Sequence, residues 1–207
     1  MSETVIPRKE ITGVILAGGR AQRMGGIDKG LILLNGKPMV EHVIAALRAE
    51  IDSLLINANR NLEQYAAFGY PVVPDIMDGY LGPLAGMASG MRASVSRYIV
   101  TAPCDSPLVA NNLVRRLYEA LTREGADISV AHDGERAHPV FALMRRDLLP
   151  DLIDYLNTGE RKIDRWYANH RLAVAYFRDE PGSFLNVNSP QERAELENRL
   201  TAATGRC

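Results

Sequence analysis

The sequence from Ile11 to Lys29 is ITGVILAGGRAQRMGGIDK, and the rest of the chain is interpreted outward from it. Its first half contains the apolar run Val14–Ala17, whose β-branched residues are typical of a buried strand. The second half opens with Gly18-Gly19 and carries Arg23 and Lys29, so it offers little to a hydrophobic core. Glycine lets backbone N–H groups approach an anion, and arginine and lysine supply positive charge. The stretch therefore predicts a strand followed by a loop that binds an anion, most naturally a polyphosphate.

The composition limits the class of protein. The chain has 207 residues, of which 46% are hydrophobic, and this suits one domain with a large core. Its formal net charge of −1 provides no global basic field for nucleic-acid binding. Cys104 and Cys207 lie far apart without metal-ligand spacing, which indicates a reducing compartment. Because signal-peptide and membrane-span patterns are also missing, we expect a cytoplasmic protein that binds neither nucleic acid nor membrane.

Strand-like and helix-like patterns alternate over roughly the first 125 residues, which predicts a parallel, doubly wound sheet in an α/β fold. Later strand-like segments, including an antiparallel pair around Asp133-Gly134, are expected to complete or extend that sheet. We expect one domain over residues 11–200, between a flexible leader at 1–10 and a frayed tail at 201–207. Asn111 or Asn112 is the candidate cap of a helix that follows.

Four predicted strands end in residues suited to a nucleotide: Gly18-Gly19, Asn57, Asp75 and Asp105. Ligands of open α/β sheets bind beyond the carboxyl ends of the strands. Asp105 directly follows an apolar strand, as a Mg²⁺ carboxylate often does, and Mg²⁺ needs only one or two protein ligands. The alternative for Asp105 is a turn or cap residue before Pro107.

Asn57 and Asp75 are candidates for contact with the base or the ribose. A carboxylate can accept hydrogen bonds from guanine N1–H and N2–H₂, a pair that adenine does not offer. Which of the two residues meets the base stays open, and Asp75 is alternatively a turn residue after Pro74. Arg23 and Lys29 are suited to stabilise phosphate charge that grows in a transition state.

The stretch from Leu16 to Lys29 resembles the signature loop of nucleotidyltransferases, and more narrowly that of the molybdenum cofactor guanylyltransferase family. It is neither a P-loop nor a dinucleotide fingerprint, because Gly18 and Gly19 are adjacent and no Gly-Lys-Ser/Thr closes it. The later motifs favour the molybdenum cofactor member and extend the resemblance over about Thr12 to Glu195: Leu34–Pro38, Asn57–Arg60, Gly82–Gly86, Pro103–Asp105, His132–Arg136, His138-Pro139 and Asn186–Asn188.

The resemblance implies a Rossmann-like three-layer sandwich that uses Mg²⁺ to transfer GMP from GTP to the terminal phosphate of molybdenum-molybdopterin, releasing pyrophosphate. Asp105 would hold the metal, and Arg23, Lys29 and Asp105 form the expected catalytic set. The expected GTP-binding residues are Leu16, Ala17, Gly18, Gly19, Arg23, Gly26, Lys29, Asn57, Asp75 and Asp105. The expected molybdopterin side consists of Gly82, Gly86, Asn186 and Asn188.

Several alternatives stay open. Asn188 is also a candidate second metal ligand or a turn residue beside Ser189, and Gly82–Gly86 is also a helix entry. A structural role is favoured for His138 over contact with the pterin. The rival functions are a cytidylyltransferase, a sugar-1-phosphate nucleotidyltransferase and a carrier that binds nucleotide or cofactor without catalysis. Transient contacts with cofactor-biosynthesis or acceptor proteins are an additional expectation.

Overall fold

The computed structural model describes residues 5–19, 28–77 and 82–204. A mixed sheet lies at its centre, and a separate hairpin is formed by β2 and β3, whose bounds follow with those of the sheet strands. The strands are β1 (Ile11–Leu16), β2 (Leu33–Leu34), β3 (Lys37–Pro38), β4 (Ser53–Asn57), β5 (Val72–Val73), β6 (Tyr98–Pro103), β7 (Ile128–His132), β8 (Ala137–Arg145) and β9 (Leu172–Tyr176).

The sheet has the strand order β5-β4-β1-β6-β8-β7-β9. The β8 strand pairs antiparallel with β6 and β7, whereas the other pairings in this sheet are parallel. The antiparallel pair expected around Asp133-Gly134 is thus β7 with β8. Strands β1 and β6 are buried along almost their whole length, because helices cover both faces of the sheet. Their near-continuous apolar sequences follow from that two-sided burial.

Helices pack on both faces of the sheet. Val43, Leu47, Tyr65 and Leu117 join the apolar cluster on one face, and Leu152 joins the cluster on the other. This arrangement confirms the predicted three-layer α/β sandwich with a mostly parallel sheet. The helices are α1 (Met39–Glu50), α2 (Leu62–Ala66), α3 (Pro83–Ala93), α4 (Leu113–Glu124), α5 (Leu149–Asn157), α6 (Ile163–Tyr167) and α7 (Pro190–Thr204). None of these described helices has the length and apolar character needed to span a membrane.

The N-terminus of α4 differs from expectation. Neither of the candidate asparagines caps it through a side chain, since Asn112 is in the cap position without such a hydrogen bond. Instead, the Glu50 carboxylate at the end of α1 accepts hydrogen bonds from the backbone N–H groups of Val114 and Arg115, each over 2.8 Å. Burial raises the pKa of Glu50, and these two N–H donors oppose that rise. A distant residue therefore provides the cap that the local sequence was expected to supply.

Both ends of the domain also differ in detail. Residues 8–10, which fall in the expected flexible leader, form a 3-10 turn, and the Arg8 side chain donates to the Ala49 carbonyl over 2.8 Å. At the other end, α7 continues to Thr204, beyond the expected start of the frayed tail at residue 201. The sequence there includes two alanines, which have the highest helix propensity. The secondary structure thus extends a few residues further in both directions than expected.

Candidate functional site

A cleft of about 510 Å³ lies beyond the carboxyl ends of β1, β4, β5 and β6, four strands that run parallel. Crossover connections place loops at this edge of the sheet, which is where open α/β sheets bind ligands. Most of the residues expected to bind a nucleotide or its acceptor line this cleft. The lining consists of Leu16, Gly18, Gly19, Asn57, Asp75, Gly82, Pro83, Pro103, Asp105, Val140 and Asn186.

Some expected site residues lie outside that lining. Ala17 is buried, and its backbone N–H donates to the Asn57 carbonyl over 2.8 Å. Gly86 is buried in α3, directly behind the Asn57 side chain. Arg23 and Gly26 lie outside the described residues. The expected residues at the strand ends therefore lie together around the cleft, while the predictions for Arg23 and Gly26 stay untested.

Lys29 joins the cleft to the segment before α7. Its ammonium lies 2.9 Å from Asp105 Oδ2 and also donates to Asn188 Oδ1. The Asp105 side chain is only 11% exposed and that of Lys29 is 24% exposed, so the pair is largely shielded from water. Such shielding strengthens an ion pair. The expected catalytic residues Lys29 and Asp105 are thus in direct contact.

A capping box at the start of α7 holds Asn188 in place. Glu192 accepts hydrogen bonds from the backbone N–H groups of Asn188 and Ser189, over 2.6 and 3.1 Å. Ser189 Oγ accepts in return from the Glu192 N–H over 3.1 Å. This reciprocal arrangement fixes the first turn of a helix. The turn-residue interpretation of Asn188 is therefore correct for its backbone, while its side chain contacts Lys29.

The donors around Asp105 suit a Mg²⁺ ion. Among residues 5–19, 28–77 and 82–204, no group of three histidine, cysteine, aspartate or glutamate side chains could hold a metal. Mg²⁺ retains several waters and usually takes one or two protein carboxylates, so it does not require such a group. The oxygens of Asp105 and Asn188 are hard ligands that already face one cation, the Lys29 ammonium. These residues fit a partly hydrated Mg²⁺ bound chiefly through Asp105.

Two asparagine amides hold the Asp75 carboxylate. Asn57 Nδ2 donates to Asp75 Oδ1 over 2.9 Å, and Asn59 Nδ2 donates to Asp75 Oδ2 over 2.8 Å. Asn59 Oδ1 also accepts from the Asp75 backbone N–H over 2.8 Å. Each carboxylate oxygen can accept further hydrogen bonds, because it has two lone pairs. The network therefore fixes the orientation of Asp75 and leaves it able to accept from a ligand.

Asn59 lies in the Asn57–Arg60 motif of the family resemblance, yet it was not among the expected site residues. The usable signal was its position two residues after Asn57, which ends β4. Asn59 itself lies in a bend beyond the strand, so the side-chain alternation of an extended segment did not place it. The partner, Asp75, is 16 residues away from Asn59. That long-range pairing is what the sequence alone did not reveal.

Glycines allow two backbone segments, at Gly18 and Gly86, to approach this network. A Cβ added to Gly18 would lie 3.0 Å from Asn59 Nδ2, and one added to Gly86 would lie 2.7 Å from a methyl carbon of Leu16. Gly82 precedes α3 with φ = 73°, a conformation that residues with a Cβ rarely adopt. The helix-entry interpretation of Gly82 therefore holds, and the same residue also lines the cleft.

His138 has a satisfied local environment. Its Nε2 lies 2.6 Å from Asp133 Oδ2, and its ring stacks on Phe184 with a centroid separation of 4.7 Å. Hydrogen bonds from the Arg136 backbone and from His138 lower the pKa of Asp133 below its usual range. These contacts agree with the structural role favoured for this histidine.

Comparison with known proteins agrees with the geometry. The family model described as MobA-like NTP transferase domain matches residues 13–174. The molybdenum cofactor guanylyltransferase of Shewanella loihica is 48% identical over 191 residues, which cover 92% of this chain and 97% of the relative. That of Shewanella sp. strain MR-4 is 49% identical over 187 residues, which cover 90% of this chain and 95% of the relative. The structure of molybdopterin-guanine dinucleotide biosynthesis protein A from Archaeoglobus fulgidus has a TM-score of 0.76 at 21% identity and covers 92% of this chain and 99% of its own. That last likeness shows a shared fold.

Proposed function

This chain belongs to the molybdenum cofactor guanylyltransferase family, and we propose that it transfers GMP from GTP to the terminal phosphate of molybdenum-molybdopterin. The products would be the guanine dinucleotide cofactor and pyrophosphate. The observation that carries this proposal is a single cleft lined by Gly18-Gly19, by the amide-held Asp75 and by Asp105 with its Lys29 partner. Together they offer positions for a triphosphate, a base and a metal.

The proposed reaction places modest demands on acid–base chemistry. The attacking group is a phosphate oxygen that is already ionised, so no strong general base is required. Catalysis of phosphoryl transfer depends mainly on positioning and on stabilising charge. Lys29 would move its hydrogen bonds towards the triphosphate and stabilise the negative charge that grows on it. The largely buried site would strengthen that contact.

Mg²⁺ is proposed as the metal, with Asp105 as its principal protein ligand and Asn188 beside it. When bound, the ion would neutralise phosphate charge and favour departure of pyrophosphate. The remaining work falls to the chain itself, which holds the Lys29 ammonium between the Asp105 carboxylate and the Asn188 amide oxygen. Arg23, whose placement is outside the described residues, remains proposed as a second phosphate contact.

Asp75 is the proposed reader of guanine. Asn57 Nδ2 is committed to Asp75 and to the Val73 carbonyl, over 2.9 and 3.2 Å, so the amide donors of Asn57 face the protein. The Asp75 carboxylate, by contrast, lines the cleft with acceptor capacity left. Guanine N1–H and N2–H₂ would satisfy it, whereas adenine would leave a carboxylate poorly paired.

The cellular setting is also a proposal. Cys104 is a free, buried thiol, as expected in a reducing compartment, and we place the protein in the cytoplasm. GTP and molybdenum-molybdopterin are its proposed substrates. Transient contacts with cofactor-biosynthesis or acceptor proteins would deliver the second substrate or receive the product.

A nucleotide panel tests the base assignment. The thermal midpoint of the protein would be measured with GTP, CTP, ATP or UTP in the presence of Mg²⁺, followed by pyrophosphate release upon addition of molybdenum-molybdopterin. We expect stabilisation and release with GTP, and a loss of release in Asp105→Asn while the fold persists. A rise in the thermal midpoint with CTP but not with GTP would support a cytidylyltransferase. Binding of GTP without release by the wild type would support a non-catalytic carrier.

A further inference from the structure

Asp28 is a buried carboxylate for which the proposed reaction has no use. It immediately precedes Lys29 and is only 5% exposed. Asp28 Oδ1 accepts a hydrogen bond from the Tyr65 hydroxyl over 2.6 Å, and Oδ2 accepts one from Asn61 Nδ2 over 3.2 Å. Arg60 Nε lies 3.6 Å from the same oxygen. Burying a charged group is costly unless it is hydrogen-bonded or paired, and Asp28 has such partners. The question is what this buried cluster does for the site.

The Tyr65 hydroxyl contacts the chain on both sides of Lys29. On one side it donates to Asp28. On the other side lies Gly30, where an added Cβ would be 2.5 Å from the hydroxyl oxygen and 3.1 Å from the Cys104 sulfur. The backbone of Gly30 therefore rests directly on this hydroxyl. One fixed oxygen thus locates the residues that precede and follow the proposed phosphate-binding lysine.

The local backbone transmits this placement to the ammonium. Lys29 begins a 3-10 turn, Lys29–Leu31, and the Leu31 N–H donates to the Asp28 carbonyl over 3.1 Å. From that turn the Lys29 side chain reaches Asp105 and Asn188. A lysine has four rotatable side-chain bonds, so a fixed backbone origin limits where its ammonium can lie.

Tyr65 itself is firmly held. It lies on α2, is fully buried and belongs to the apolar cluster on that face of the sheet. Burial and the neighbouring Asp28 raise the pKa of its hydroxyl, so this group stays a hydrogen-bond donor at physiological pH. The adjoining Cys104 directly precedes Asp105, and therefore the same cluster borders both members of the Lys29–Asp105 pair.

We propose that the buried Asp28–Tyr65 pair is a positioning device that sets where the Lys29 ammonium meets the triphosphate. Neither residue touches substrate, so both act through Lys29. The inference rests on the proposed function, in which Lys29 contacts GTP. A purely structural role for the pair would affect stability without a selective effect on what Lys29 does.

A double-mutant cycle with Tyr65→Phe and Lys29→Ala separates these roles. Tyr65→Phe removes one hydroxyl, and Tyr155→Phe is the matched control because its hydroxyl bonds the Lys162 carbonyl outside the cleft lining. Both GTP affinity, by calorimetry with Mg²⁺, and turnover with molybdenum-molybdopterin would be measured. The GTP affinities of the four proteins in the cycle test the Asp28–Tyr65 pair even if the protein shows no turnover. Failure of the proposed function can therefore be distinguished from failure of this inference.

We expect Tyr65→Phe to lower turnover by about 10- to 100-fold, since small misplacements of a positioned group have effects of this size. Its GTP affinity should fall as well, and Tyr155→Phe should behave like the wild type. In the Lys29→Ala background, Tyr65→Phe should have almost no further effect on either quantity. The proposal would be overturned if Tyr65→Phe lowered affinity and turnover by the same factor in the wild-type and Lys29→Ala backgrounds. It would also be overturned if Tyr65→Phe had the same turnover and affinity as Tyr155→Phe.

A second variant keeps the test valid if Tyr65→Phe folds poorly. Asp28→Asn retains an oxygen that can accept from Tyr65, whereas Asp28→Ala does not. We therefore expect Asp28→Asn to keep more GTP affinity and turnover than Asp28→Ala, at matched folding by circular dichroism. Equal values for the two variants would contradict a role through the Tyr65 hydrogen bond.

Discussion

Replacement of Gly86 by alanine would test whether close packing of α3 holds the proposed base-reading network. The added Cβ would lie 2.7 Å from Leu16 Cδ2 and 3.1 Å from Asn57 Cγ, with Asn57 Oδ1 closer still. Carbon atoms pack favourably at about 3.5–4.0 Å, so these distances require movement. Asn57 cannot turn away without weakening its hydrogen bonds to Asp75 and Val73. The substitution should therefore disturb the orientation of Asp75.

The expected magnitude combines three effects. Overpacking of a core typically destabilises by about 1–3 kcal/mol. Loss of one hydrogen bond destabilises by about 1 kcal/mol more, whereas replacing a helical glycine by alanine stabilises by about 1 kcal/mol. We therefore expect Gly86→Ala to lower the free energy of unfolding by about 1–3 kcal/mol. Because the strain falls on Asn57, GTP affinity should also drop by roughly tenfold, which corresponds to about 1.4 kcal/mol.

Gly90 on the same helix provides a matched control. A Cβ added there would lie 2.6 Å from a methyl carbon of Val14, so it overpacks the same interface without touching Asn57. Urea unfolding would give the stability of both variants, and calorimetric titration with GTP and Mg²⁺ would give their affinity. We expect similar destabilisation but reduced GTP affinity only in Gly86→Ala. Wild-type affinity in Gly86→Ala, or equal losses of affinity in both variants, would show that packing of α3 does not hold the Asn57–Asp75 network.

Three further predictions concern the surrounding network. Asn59→Ala should weaken GTP binding by about fivefold and reduce the preference for GTP over ATP, because Asp75 loses two hydrogen bonds; unchanged affinities in a calorimetric comparison would contradict its supporting role. Glu50→Ala should destabilise by about 2–4 kcal/mol in urea unfolding while turnover of the folded protein is retained, because two helix N–H groups lose their acceptor; a stability equal to wild type would count against the cap. The lowered pKa of Asp133 contributes stability that is present above the ordinary carboxyl pKa and lost as the pH falls through the folded value. The stability difference between wild type and Asp133→Asn should therefore shrink below about pH 4, and a constant difference down to pH 3 would argue against this contribution.

The sequence predicted those parts of the fold that local patterns determine. The apolar runs at β1 and β6 indicated buried strands, and the turn at Asp133-Gly134 correctly indicated an antiparallel pair. The edge that carries Asn57, Asp75 and Asp105 followed from the parallel topology, since parallel strands bring their carboxyl ends to one side. These features depend on periodicity and chain direction, both of which are readable from nearby residues.

Long-range contacts set the limits of that prediction. Glu50 caps a helix 64 residues further along the chain, and Tyr65 bonds a carboxylate 37 residues before it. The local sequence predicted that an asparagine beside α4 caps this helix. The packing of α1 against α4 instead places the Glu50 carboxylate at the helix N-terminus. Such partners are selected by tertiary packing, and no short motif encodes them. The supporting residues of the site were therefore missed, while most of the residues that line the cleft were among those expected there.

Transfer of an isotopic label from the α-phosphate of GTP would show whether this chain moves GMP onto molybdenum-molybdopterin with the help of Lys29. The protein would be incubated with molybdenum-molybdopterin, Mg²⁺ and GTP labelled at the α-phosphate, with α-labelled CTP in a parallel reaction. We expect label from GTP in a pterin dinucleotide, little transfer from CTP, and a rate about 10²–10³ lower in Lys29→Ala. Transfer from CTP in preference to GTP, or an undiminished rate in Lys29→Ala, would contradict this expectation.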